Sequence, residues 1–121
     1  MGMAPTHAEL LAAVERSPEA AGAHDRDGWV GLFSTDGVVE DPVGSRPHRR
    51  RAQITRFYDT FIAPNTIIFH VDHDIVCGQS VVRDLAIETI MSTGAALKVP
   101  MHLRYDLVRE KGALKIHRLY A

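Results

Sequence analysis

Asp41 is the side chain whose setting most favours proton chemistry. It closes a short apolar run, Gly37-Val38-Val39-Glu40, and opens a break, Pro42-Val43-Gly44-Ser45-Arg46-Pro47. Val38 and Val39 prefer an extended backbone, and Pro42 steers the residue before it away from the helical region, so the carboxylate is expected at the end of a strand. Gly44, Ser45 and Pro47 then turn the chain. A carboxylate beside apolar neighbours is harder to ionise, and its pKa rises toward the range of a working general base. The same residue types also make an ordinary capped turn.

The other reactive residues form weaker constellations. His70, Asp72 and Asp74 share a strand face, with His73 between them, but a row along one strand spans too far to converge on one ion, so no metal is assigned. Cys77 is the only cysteine. It can form no internal disulfide, permits a reducing compartment, and reads as an unreactive thiol near a hairpin turn. The cationic run His48-Arg49-Arg50-Arg51 lies at a helix start and suits either a solvated loop or an anion. Tyr58 and Tyr120 carry a polar tip on an apolar ring, which suits a pocket or a core position with a backbone partner.

The elements that must position Asp41 follow from capping and periodicity. Thr6 and Glu9 match a capping box, and Leu10, Leu11 and Val14 give the first helix an apolar stripe. Ser17-Pro18 is expected to kink or break that helix. Asp25-Arg26-Asp27-Gly28 starts a short second helix with Trp29, Leu32 and Phe33 on its apolar face, and Ser34-Thr35-Asp36-Gly37 ends it. Ile54, Phe57, Tyr58, Phe61 and Ile62 recur at helical spacing in a third helix, stopped at Ala63-Pro64-Asn65.

From Thr66 the period becomes alternating. Ile67, Phe69, Val71 and Ile75 share one strand face and His70, Asp72 and Asp74 the other. A second strand runs roughly from Ser80 to Met91. The third has Val99, Met101, Leu103, Tyr105 and Leu107 on one side and His102, Arg104 and Asp106 on the other. Leu114 to Tyr120 forms the last strand, after a turn at Arg109-Glu110-Lys111-Gly112. Three helices followed by four meandering strands give an α+β order, with helices on one face of a curved antiparallel sheet.

The 121 residues are expected to form a single domain over 1–121, with about residues 1–5 a loose tail and the last strand running a few residues beyond Ala121. Hydrophobic residues at 45% and charged residues at 24% give a globular balance, and a net charge of -1 without a basic stripe offers nucleic acid no footprint. No apolar run approaches the ~20 residues of a membrane span, and no signal-peptide core begins the chain, so a cytoplasmic protein is expected.

The run Asp27-Gly28-Trp29-Val30-Gly31-Leu32-Phe33-Ser34-Thr35-Asp36-Gly37-Val38-Val39-Glu40-Asp41-Pro42-Val43-Gly44-Ser45, with Ile54-Thr55-Arg56-Phe57-Tyr58, closely resembles the bacterial steroid Δ5-3-ketoisomerases and the broader NTF2-like, or SnoaL-like, superfamily. The specific match covers about the central third, and the element order agrees over nearly the whole length. The resemblance implies a cone, in which a curved sheet wraps a long helix around an apolar pocket. It places Trp29, Phe33, Phe57 and Phe61 on the helical wall, Met101 and Leu103 on the sheet wall, and Ser17 and Tyr120 at the lining. It implies a small apolar ligand, steroid- or polyketide-like, no cofactor, and a homodimer.

In that family the aspartate of Glu-Asp-Pro is the general base, and Asp41 falls on it without a gap. A tyrosine and a protonated aspartate form the family's oxyanion hole. Here the tyrosine position falls at Ser17, and the aspartate position offers His102, Leu103 or Arg104. Losing one such donor typically costs ~100- to 1000-fold in rate. His102 and Arg104 are candidate replacements if their strand face looks into the cone, although the Met101, Leu103, Tyr105 face is the more apolar. Three readings follow: a ketosteroid-isomerase-like enzyme, a non-catalytic binding or dimerisation module, and, on the Arg104 and Asp106 pair, a limonene-epoxide-hydrolase-like or SnoaL-like cyclase.

Overall fold

The computed structural model describes residues 4–121. The expected tail lies outside this range except for Ala4 and Pro5, which precede the first helix without regular structure. Helix α1, His7–Gly22, starts as its residues dictate: Thr6 Oγ1 accepts from the Glu9 N–H at 3.1 Å, and the Glu9 carboxylate accepts from the Thr6 N–H at 3.0 Å. The break expected at Pro18 does not occur, and the proline sits inside the helix. A proline there removes one hydrogen bond and costs about 3 kcal/mol. Leu10, Val14, Ser17 and Ala21, buried against the sheet on both sides of Pro18, hold the helix together across it.

Helix α2, Arg26–Val30, is capped by Asp25, whose Oδ1 accepts from the Gly28 N–H at 3.0 Å. It is shorter than its apolar residues suggest. Phe33 instead opens strand β1, Phe33–Glu40, and the turn-like residues Ser34 to Gly37 are absorbed into it. They do so through an irregular stretch of pairing with the last strand, between Phe33 and Val38. A side chain at Gly37 would press within 3.0 Å of Phe33 Cβ and the Ser34 carbonyl, so this bend needs its glycine.

Strand β2, His48–Arg49, leads into helix α3, Arg50–Phe57, which continues as a π-helical turn, Tyr58–Ile62. Strands β3, Thr66–Cys77, β4, Ser80–Ile90, β5, Ala96–Glu110, and β6, Ala113–Tyr120, follow. They form one sheet in the order β2-β1-β6-β5-β4-β3, antiparallel except where β1 runs parallel to β6. The helices pack over the inner face, which is the expected α+β arrangement of helices on one face of a curved sheet. No described helix is long and apolar enough to cross a membrane.

One correction changes the chemistry of a strand face. The pairing of β3 with β4 slips between Val71 and His73. An inserted residue moves every later side chain to the other face. Ile67 and Phe69 therefore point inward, Ile75 is 53% exposed, and Asp74 joins the interior, where its carboxylate accepts from Arg83 at 2.8 and 3.0 Å.

Candidate active site

The loop that carries Asp41 is tied down at both ends. The Ala121 N–H donates to the Glu40 carbonyl at 3.0 Å, and the Val43 N–H donates back to the Ala121 carbonyl at 2.7 Å. Within the loop, the Glu40 carboxylate accepts from the Gly44 N–H at 3.0 Å, and the Ser45 hydroxyl donates to the Pro42 carbonyl at 2.6 Å. Gly44, at a φ of 94°, takes the left-handed turn that other residues resist. These bonds leave the Asp41 carboxylate free, with no hydrogen bond among its perturbing influences.

Asp41 stands at the mouth of a cavity of about 360 Å³. Ser17 and Ala21 of α1, Trp29 of α2, Phe57 of α3 and Phe61 and Ile62 of the π-helical turn form one wall. Ile67 and Phe69 of β3, Ile87 and Thr89 of β4, Met101, Leu103 and Tyr105 of β5 and Leu119 of β6 form the other. Pro42, Asn65 and Ala121 complete the rim. The helical wall is an aromatic stack: Trp29 lies 6.0 Å from Phe57 at 20°, and Phe57 lies 5.1 Å from Phe61. Much of the Asp41 residue remains open to solvent, but the apolar wall displaces enough water to raise its pKa, and the charge of His48 pulls it back only in part.

Of the residues expected at this site, Asp41, Ser17, Trp29, Phe57, Phe61, Met101 and Leu103 all line the cavity. Four do not. Phe33 is buried against Trp29, with ring centres 4.9 Å apart, behind the wall rather than in it. His102 and Arg104 lie on the outer face of β5, because strand alternation gives Met101, Leu103 and Tyr105 the inner one. Arg104 donates to Asp106 at 2.9 Å and lies 5.5 Å above the ring of Tyr120, which shares that outer face. The Arg104 and Asp106 pair is therefore outside the cavity as well.

Two features escaped the sequence. Tyr105 is fully buried in the cavity wall, and its hydroxyl has no hydrogen-bond partner among the described residues. Alternation showed its face but could not show that its hydroxyl has no acceptor. Asp72, His73 and Asp84 bring one ligand atom each within 4.8 Å of one another on the outer surface. The slip in β3 creates that grouping.

The model of the SnoaL-like domain matches residues 14–116, most of the chain. The chain belongs to this SnoaL-like family. Among solved structures, this SnoaL-like domain is similar to a Δ5-3-ketosteroid isomerase from Mycobacterium sp., at 28% identity and a TM-score of 0.82 over 93% of this chain and 90% of that one. It shares its fold with Rv0760c of Mycobacterium tuberculosis, determined in complex with estradiol-17beta-hemisuccinate, at 24% identity and a TM-score of 0.80 over 93% and 91%. It also shares it with the epoxide hydrolase/cyclase-like enzyme SalBIII of pyran ring formation in salinomycin, at 20% identity and a TM-score of 0.81 over 93% and 88%.

Proposed function

We propose that this SnoaL-like domain moves a proton within an apolar cyclic ketone, steroid- or polyketide-like, with Asp41 as the general base. The observation that carries this reading is a hydrogen-bond-free carboxylate of raised pKa at the mouth of an apolar cavity. With a β,γ-unsaturated ketone, the Asp41 carboxylate takes the proton from the carbon between the carbonyl and the alkene. The electron pair left behind delocalises into a dienolate. The carboxylic acid then returns the same proton to the γ carbon, and a conjugated ketone leaves with atoms and electrons unchanged. No cofactor enters this balance.

The aromatic wall suits a flat, rigid ring system, since offset ring faces gain both area and quadrupole contacts. The isomerase relative and the steroid conjugate bound by Rv0760c support the ligand class. A second reading, a binding module without turnover, is favoured by one feature: Asp41 is the sole carboxylate among the described residues that line the cavity. Isomerisation of a 3-keto-Δ5-steroid, followed by growth of the conjugated-enone absorbance, separates the two. Asp41→Asn should lower the rate by ~100- to 10,000-fold, the usual share of a positioned base. Activity indifferent to this change rejects Asp41, and steroid binding without turnover selects the binding module. A homodimer built through the outer sheet face belongs to the same proposal, and sedimentation of the purified protein decides it.

A further inference from the structure

The cationic residues that follow the Asp41 loop have no part in moving a proton, yet some of them line a space of their own. It is an open groove of about 420 Å³, formed by Arg46 of the loop, His48 of β2, Arg56 and Phe57 of α3, and Thr60 and Phe61 of the π-helical turn. No carboxylate lines it. Among the described residues the arginine–carboxylate pairs take Arg26, Arg50, Arg83, Arg104 and Arg109, and neither Arg46 nor Arg56 is in one. The groove and the cavity beside Asp41 share Phe57 and Phe61. A row of rings marks the boundary, with His48 5.1 Å from Phe57 and Phe57 5.1 Å from Phe61. The charge of His48 reaches Asp41 at the cavity mouth, so the two spaces open side by side. Phe61 is 51% exposed at this junction. It stands on the π-helical turn, a departure from regular winding that recurs where a helix serves a site.

We propose that the ligand of the cavity carries a terminal oxyanion, a carboxylate or sulfate, on a tail beyond its rings, and that Arg46, His48 and Arg56 bind this group in the groove. The assignment rests on the proposed function for the rings in the cavity and adds the class of substrate, an acid conjugate of the cyclic ketone. A tail that leaves by the mouth crosses Phe61, whose exposed ring covers an alkyl linker. Beyond it the two guanidiniums offer paired N–H donors that match the oxygens of a carboxylate or sulfate. An anion resting beside Asp41 would oppose the ionisation that a base needs, and cations beyond Phe57 hold that charge away from it. Arg46, Arg56 and Thr60 are all exposed, so each contact is worth little by itself and is screened by salt. Their sum still selects an acid over a neutral ligand of the same shape, and the unpaired positive charge draws the acid to the mouth.

The test compares testosterone 17β-hemisuccinate with its methyl ester, which keeps the rings and the tail and removes the charge, by quenching of Trp29, the only tryptophan, in the cavity wall. The native protein should bind the acid about tenfold more tightly at low salt, the sum of a few exposed charge contacts, and the difference should shrink as sodium chloride is added. Arg46→Gln with Arg56→Gln should lower acid affinity to that of the ester. Arg50→Gln serves as the control, because Arg50 lies outside the groove, 3.9 Å from Asp36, and should leave the preference as it is. Free succinate at the concentration of the steroid acid should not displace it, since a tethered group is held at far higher effective concentration. Equal affinity of the native protein for acid and ester, a preference that survives the double variant, or one that Arg50→Gln removes as well, overturns the assignment. Displacement by free succinate overturns it too, in favour of a site for a separate anion. If acid and ester bind equally and the 3-keto-Δ5 ester is still isomerised, the oxyanion groove fails alone. If the acid is preferred but its 3-keto-Δ5 form is not turned over, the proton-transfer reading fails and the groove stands. Failure of both steroids to quench Trp29 removes the ring site and the groove assignment together.

Discussion

Asp41 and Tyr105 illustrate two side chains that the fold holds in an unfavourable state. Asp41 has its pKa raised by burial, so between the ordinary carboxylate value of 3.8 and the raised value the folded protein binds more protons than the unfolded chain. Its contribution to stability is fully present below 3.8 and is lost as pH rises through the raised value. Asp41→Asn should therefore be more stable than the native protein at neutral pH and equal to it in acid, as read by urea unfolding at both. The base works only when ionised, so turnover should rise with pH through the same window. A native-to-asparagine difference that ignores pH would show an unperturbed carboxylate. Asp41 was legible because Val38, Val39 and Pro42 fix its backbone locally. Tyr105 was not, because an alternating pattern assigns a face and is silent on whether a hydroxyl on that face finds a partner.

The elements themselves were read where capping and period agree, as in α1 with Thr6 and Glu9, and misread where a strand bends. The slip after Val71 and the irregular β1 pairing near Gly37 are properties of two strands together, and one strand's residues do not reveal them. The β3 slip has an energetic consequence. It brings Asp74 to Arg83, a guanidinium that also donates to Glu15 of α1 at 2.8 Å, and so ties helix to sheet behind the cavity. The Arg83 side chain is 3% exposed, and its Nη1 lacks a partner. Removing one member of a buried pair strands the other charge, at roughly 3–5 kcal/mol. Arg83→Ala should lose only part of that in urea unfolding, because Asp74 at 18% and Glu15 at 50% side-chain exposure still reach solvent, whereas Arg83→Met with Asp74→Leu should recover most of the loss. Equal losses in the single and double variants would mean that the pair does not hold the helix to the sheet.

At the scale of the whole molecule the cone has been left incomplete in a specific way. A carboxylate of raised pKa stands at the mouth of a cavity that packing has not filled, and the buried hydroxyls of Tyr105 and Tyr58 have no hydrogen-bond partner among the described residues. Each lowers the stability of the free protein, and a ligand that fills the space recovers the packing. Anything that binds only the folded state stabilises it by about 2.7 kcal/mol at one hundred times its dissociation constant. For a domain of this size that corresponds to a rise on the order of 10 °C in melting temperature. A flat steroid ketone should produce such a rise. Met101→Trp, which fills the cavity from β5, should fold with an unliganded melting temperature close to the native one and show no rise with that ligand. A rise that survives this filling would place the ligand elsewhere on the protein, and the cavity would then be a packing defect rather than a binding site.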